Sequence, residues 1–132
     1  MKYLLDTHII LWALIGDKRL SKKVREILED SNNDIYYSTV SAWEIEIKHM
    51  NKDDFKLSAE KFVFLCDQNG LSNIQIKNKD ILSLSKIEKV EDTRHNDPFD
   101  RMLLAQAISD NMIFITHDRK FSAYANTNIM LV

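Results

Sequence analysis

The chain holds one cysteine, one proline and two glycines in 132 residues, and each scarcity removes a class of function. Cys66 has no second cysteine with which to form an internal disulfide or a zinc knuckle. With Gly16 and Gly70 as the only glycines, neither G-x-x-x-x-G-K-[ST] nor G-x-G-x-x-G can be written, which excludes the backbone loops that cradle nucleotide phosphates. No apolar run approaches the roughly 18 residues that a membrane span requires. The apolar start, MKYLLDTHIILWALIGD, is interrupted by Asp6 and His8 and leads to no A-x-A-like cleavage site, so it does not read as a signal peptide. The expectation is a cytoplasmic protein without a membrane partner, with residues 1–132 forming one domain. His8, His49, His95 and His117 show no H-x-x-x-H spacing, which argues against zinc. No G-x-S-x-G is present, and Cys66 falls on an apolar helix face where a thiol is inert, so covalent catalysis has no candidate.

An excess of positive charge is also lacking. The net charge is −2, against the basic balance expected of a protein that binds phosphate backbones. Local charge modifies that reading. Basic residues gather at Lys18, Arg19, Lys22, Lys23 and Arg25, at Lys48, His49 and Lys52, at Arg94 and His95, and at Arg119 and Lys120. Each cluster alone reads as a solvated face. If four of the acids are spent on a bound divalent ion, the remainder of the chain is slightly positive.

What is present is an alternation of short apolar runs and helical patterns. Strands are expected at Tyr3-Leu5, Ile35-Ser38, Leu71-Ile76, Met112-Ile115 and Ile129-Val132. Helices are expected from Ile9 to Leu14, from a Ser21 cap to about Asp30, from Ser41, from Leu57-Ser58 to a stop before Gly70, from Asp80 to Ile87, from Asp97-Pro98 to about Asp110, and briefly after Asp118. Val90 to Asn96 reads as a polar loop. Trp12 and Trp43 each lie in an apolar stripe and are assigned to the core rather than to base stacking. Strands that are apolar throughout, alternating with helices, predict a parallel sheet covered on both faces with right-handed crossovers.

On that frame four carboxylates fall where strands meet helices: Asp6, Glu44, Asp100 and Asp118. In an open parallel sheet these junctions gather at the carboxyl edge, where ligands bind. Each acid also has a purely structural explanation. Asp6 and Asp118 suit helix N-caps. Ser41-Ala42-Trp43-Glu44 matches the S-x-x-E capping box. Asp97, Pro98 and Asp100 suit the N-cap, N1 and N3 positions of one helix. Capping does not account for four acids on one edge together. Crowded carboxylates repel and stay ionised only with compensation, for which a hard divalent cation with oxygen ligands, Mg²⁺ or Mn²⁺, is the expected source.

The local wording around the acids reads Leu4-Leu5-Asp6-Thr7-His8, Ser41-Ala42-Trp43-Glu44-Ile45-Glu46-Ile47-Lys48, Asp97-Pro98-Phe99-Asp100-Arg101-Met102-Leu103-Leu104-Ala105-Gln106-Ala107 and Phe114-Ile115-Thr116-His117-Asp118-Arg119-Lys120-Phe121. These segments resemble a PIN domain, specifically the VapC-like toxins of type II toxin–antitoxin modules. The Asp-Pro-Phe-Asp-Arg-Met-Leu run is the most specific part, and the region from Lys52 to Asn96 carries little family wording. The resemblance implies a three-layer α/β/α sandwich around a five-stranded parallel sheet, and Mg²⁺- or Mn²⁺-dependent endoribonuclease activity. It places the metal-binding and catalytic carboxylates at Asp6, Glu44, Asp100 and Asp118. Asp97 becomes a cap or supporting residue, and Thr116 a hydrogen-bonding support for the last acid. It also implies an RNA substrate, a cognate antitoxin and a homodimer.

An ion held chiefly by Asp6 and Asp100 would lower the pKa of bound water and stabilise charge on the scissile phosphate, with Glu44 orienting or deprotonating the water. Lys48, Arg101 and Arg119 are the candidates for holding the RNA backbone, and His8 and His117 flank the expected pocket. Two other readings compete. A phospho-accepting receiver domain needs an acidic pair after its first strand, where this chain has only Asp6. A PIN fold that has lost catalysis would act only as a binding module.

Overall fold

The computed structural model describes residues 1–87, 97–124 and 128–132. The polar loop expected at Val90 to Asn96, with the Arg94 and His95 cluster, lies outside the described residues. Five strands, β1 (Lys2–Leu5), β2 (Asp34–Ser38), β3 (Ser72–Ile74), β4 (Ile113–Thr116) and β5 (Ile129–Leu131), form one sheet in the order β3-β2-β1-β4-β5. Every neighbouring pair is parallel. The expected strands are all present, shifted by a residue or two at their ends.

Side chains alternate across each strand, and both faces are buried. Tyr3 and Leu5 of β1 point into a cluster with Ile9, Ile10, Trp12, Val24, Ile45, Phe62 and Cys66, beneath α1 (Thr7–Ile15), α2 (Lys22–Glu29) and α4 (Ala59–Gln68). Leu4 points the other way, into a cluster with Val40, Leu103, Leu104, Ala107, Phe114 and Phe121. That cluster is closed by α6 (Pro98–Ser109) and by a 3-10 turn at Arg119–Ala123. Helix α3 (Thr39–Asn51) contributes to both clusters, through Val40 on one side and Ile45 on the other. The result is the three-layer α/β/α sandwich. The Asp80 to Ile87 segment is the short helix α5 (Asn78–Ser83) followed by a 3-10 turn at Leu84–Lys86.

The helix stops and starts follow local chemistry. Gly16 ends α1 at φ 66°, a left-handed backbone that a side chain would strain. Ser21 and Ser58 cap α2 and α4 by accepting from Val24 N and Lys61 N. Asp97 caps α6 by accepting from Phe99 N at 2.8 Å and Asp100 N at 3.2 Å, with Pro98 in the first helical position as expected. One cap differs from the sequence reading: α3 is opened by Ser38, whose hydroxyl accepts from Val40 N at 2.9 Å, and not by Ser41. The S-x-x-E capping box is therefore not formed, and Ser41 and Glu44 are released for other contacts.

The strand order matters for the site. The chain builds β1, β2 and β3 outward in one direction, then crosses to place β4 and β5 on the other side of β1. The crevice between the carboxyl ends of β1 and β4 is the topological switch point, where such sheets bind ligands. A receiver-type sheet has the order 2-1-3-4-5 instead.

Candidate metal and nuclease site

Asp6 sits directly on the switch point. Its amide donates to Ile115 O at 2.9 Å, which ties the end of β1 to β4. Its carboxylate is 5% exposed and accepts two bonds from neutral donors, Thr7 N to Oδ1 at 2.8 Å and the Thr116 hydroxyl to Oδ2 at 2.7 Å. Burial pushes its pKa up to about 7. The two hydrogen bonds oppose that rise, whereas the negative charges of Asp100 and Glu44 add to it. Three of the four carboxylates thus feel one another across the crevice.

Asp118 joins from the far side of β4. It caps the 3-10 turn by accepting from Lys120 N at 2.9 Å, and its own amide donates to Thr116 Oγ1 at 3.0 Å. Thr116 is accordingly a hinge between two acids: it donates to the carboxylate of Asp6 and accepts from the backbone of Asp118. The resemblance had tied Thr116 only to the last acid. Asp6 and Asp118 line one open cavity of about 310 Å³ with His8, Trp12, Arg19 and His117.

Glu44 is held through side chains that no local pattern pointed to. The Thr7 hydroxyl donates to Glu44 Oε1 at 2.8 Å and lies 2.8 Å from the Ser41 hydroxyl, which is wholly buried. Lys48, one turn on, stands 3.6 Å from Glu44 Oε2. This candidate backbone-binding lysine is thus already paired within the site. Arg101 turns away toward Leu84, whose carbonyl accepts from its Nη2 at 3.5 Å, and lines a mostly apolar cavity with Val40, Trp43, Phe99 and Met102. Arg119 is exposed at the start of the 3-10 turn.

The assignment of Trp43 to the core is overturned. The ring is 56% exposed and meets Phe99 edge-on at 4.8 Å, because Trp43 lies two residues, about 200° of helix, from buried Ile45 and so on the opposite side of α3. Trp12 is buried, as expected. Burial pushes the Cys66 thiol up to about 12, in keeping with an inert core residue.

The donor set suits a hard cation: carboxylate oxygens, one of them desolvated and partly neutralised by protonation at pH 7. Among the described residues, no three Asp, Glu, His or Cys side chains are already arranged around one point as ligands. An ion would complete the cluster rather than enter a finished cage. Asp97 caps α6 through Phe99 N and Asp100 N.

A parallel sheet of this order, with carboxylates gathered at its switch point, is the frame for comparison with known proteins. The PIN domain family profile matches residues 3–126, and the chain belongs to that family. No curated relative matches it in sequence. Among solved structures it is similar to a chain of VapBC2 from Rickettsia felis, solved bound to a DNA fragment from the promoter, with a TM-score of 0.70 and 17% identity over 100% of this chain and 98% of the other. It is also similar to a chain of VapBC-1 from nontypeable Haemophilus influenzae, with a TM-score of 0.66 and 21% identity over 93% and 92% of the two chains. At these identities the likeness is one of fold. Among the described residues no helix is long and apolar enough to cross a membrane.

Proposed function

We propose that this PIN domain is a divalent-metal-dependent endoribonuclease, using Mg²⁺ or Mn²⁺, and the toxin of a type II toxin–antitoxin pair. The observation that carries the reading is the state of Asp6: a buried carboxylate at the switch point, raised to about 7, with Asp100 and Glu44 adding to the rise. Such a group lacks a positive charge that a bound cation supplies. Asp6 and Asp100 are the chief proposed ligands, with Asp118 and Glu44 close by or linked through water. When bound, the ion activates water and stabilises charge on a phosphodiester. Thr116 and Thr7 aim the carboxylates, and Glu44, steadied by Thr7 and Lys48, is the group that takes or orients the water proton.

The antitoxin partner is supported by the fold neighbours, both of which come from VapBC assemblies. Homodimerisation, which follows from the resemblance, and cytoplasmic action complete the proposal. The test is cleavage of total RNA by purified protein in Mn²⁺ or Mg²⁺, beside EDTA and an Asp6→Asn variant. Metal-dependent cutting that the variant lacks establishes the nuclease. Absence of cutting together with absence of Mn²⁺ binding establishes the binding-module reading in its place.

A further inference from the structure

The cavity that Asp6 and Asp118 share has a second wall, built from His8, Trp12, Arg19 and His117, which the carboxylates do not account for. Arg19 is its organising residue. The guanidinium carbon lies 4.9 Å from the centre of the Trp12 ring. Asp17 holds the same group by two bonds, Nε to Oδ1 at 3.1 Å and Nη2 to Oδ2 at 2.7 Å. The side chain is nevertheless 66% exposed. Its ion-pair partner is Asp17, outside the cavity, and not Asp6 or Asp118, so Arg19 is not simply neutralising the site acids.

A guanidinium offers five N–H donors, and two bonds to Asp17 leave the rest available. Because stacking and pairing have already ordered the side chain, little further entropy is lost when it takes an anion. Trp12 serves as the platform. It is 9% exposed, with Arg19 over its face, the His117 ring 5.1 Å away edge-on and the His8 ring at 6.4 Å, so no face is open for a base. His117 Nδ1 donates to the Val132 carbonyl, which leaves Nε2 outside that bond.

We propose that Arg19, stacked on Trp12 and flanked by His8 and His117, forms a phosphate subsite for a nucleotide next to the scissile bond. The RNA strand would then run across the α1 side of the acidic crevice. The proposal rests on the nuclease reading for its choice of RNA. A polyanion brought beside four carboxylates needs a cation whose position does not depend on the bound metal, and Arg19 is such a cation within the same cavity.

The test uses the full chain with Arg19→Ala, Arg19→Lys and, as a control on exposed α4, Lys61→Ala. Cleavage kinetics in Mn²⁺ and binding of a fluorescent single-stranded oligoribonucleotide in EDTA are both read, with thermal melting to confirm folding. Arg19→Ala is expected to raise KM and Kd about tenfold with kcat little changed, and to lower the salt slope of binding by about one. Arg19→Lys keeps the charge but loses the fork and the stacking, and should fall between the two. If RNA is cut but Arg19→Ala matches wild type in KM, Kd and salt slope, the subsite falls and the nuclease stands. If nothing is cut and no Mn²⁺ is bound, yet Arg19→Ala weakens binding, the nuclease reading fails and Arg19 stands as a phosphate contact of a binding module. Absence of any wild-type binding overturns the subsite as well.

Discussion

The two ends of the sheet treat their acids in opposite ways. At the amino-terminal edge, Asp110 at the end of α6 pairs through Oδ1 with Lys79, and buried Asp80 accepts from the Lys77 amide in the first turn of α5. Each has a partner on one oxygen, a cation for Asp110 and a cap for Asp80, while its other oxygen is buried without a hydrogen bond among the described residues. At the carboxyl edge, the most buried acid, Asp6, accepts from one amide and one hydroxyl, and its strongest charged neighbours, Asp100 and Glu44, are themselves negative. Desolvated carboxylates placed beside one another raise the energy of the ionised state. That edge stores a demand for positive charge, whereas at the opposite edge Lys79 supplies a cation to Asp110 and lies near Asp80.

The sharpest way to break the comparison is to remove an acid from one edge and the cation from the other. Asp6→Asn or Asp100→Asn should reduce metal-dependent RNA cleavage by about 10²–10³-fold. Both should leave the protein folded, because Asn at position 6 still accepts from Thr7 N. Lys79→Ala at the far edge should leave the rate within about twofold, as expected for a surface change remote from the site. Unfolding of both acid variants, seen by circular dichroism, would instead assign these residues to capping.

The pH dependence sharpens it further. The folded pKa of Asp6, about 7, lies above its ordinary value of 3.8. Between those values the folded protein holds a proton that the unfolded chain has released, so stability falls as pH rises through that window. The expected loss in metal-free protein is on the order of 4 kcal/mol, and Asp6→Asn should abolish it. A cation must displace the proton, so Mn²⁺ affinity should rise up to about tenfold per pH unit below 7 and level off above it. Thermal melting with and without Mn²⁺ at pH 6 and pH 8 reads both effects. A Mn²⁺-induced rise in Tm no larger at pH 8 than at pH 6 would remove Asp6 from the ligand set.

A smaller effect is expected at Thr116. Its replacement by Val deletes the donor to Asp6 Oδ2 and the acceptor for the Asp118 amide in one change of similar volume. Supporting bonds of this kind are worth about 10–100-fold in metal affinity or activity. Mn²⁺ titration and cleavage rates should fall together. A drop in stability alone, with the affinity of the folded protein intact, would make Thr116 a purely structural residue.

Much of this arrangement was legible before the structure. Strands that are apolar throughout, together with Asp97-Pro98 at a helix start, carry strong local signals, and so the sheet, α6 and the edge placement of the four acids followed from patterns within a few residues of each position. The missed features depend on pairs far apart in the chain. Glu44 looked like half of a capping box with Ser41, whereas its partner is the hydroxyl of Thr7. Arg19 looked like part of a solvated basic run, whereas it is stacked on Trp12. Trp43 looked buried beside Ile45 in an apolar stripe, whereas residues two apart on a helix do not share a face.

The start of α3 rests on one choice among hydroxyls in Ser38-Thr39-Val40-Ser41, and it gives the mildest test. Ser38 accepts from Val40 N while donating to the buried Gln106 Oε1 at 2.5 Å. Ser41 instead meets Thr7. Ser38→Ala removes a cap and leaves a buried amide oxygen without its donor, which should cost about 1–2 kcal/mol of stability with cleavage per folded molecule nearly unchanged. Ser41→Ala leaves the cap intact but frees one side of the Thr7 hydroxyl. It should cost less stability, while disturbing Glu44 enough to lower the cleavage rate severalfold. Denaturant melts beside single-turnover rates separate the two variants. Should Ser41→Ala prove the more destabilising and leave the rate untouched, Ser41 would be the true cap, and the Thr7–Glu44 link would have no part in cleavage.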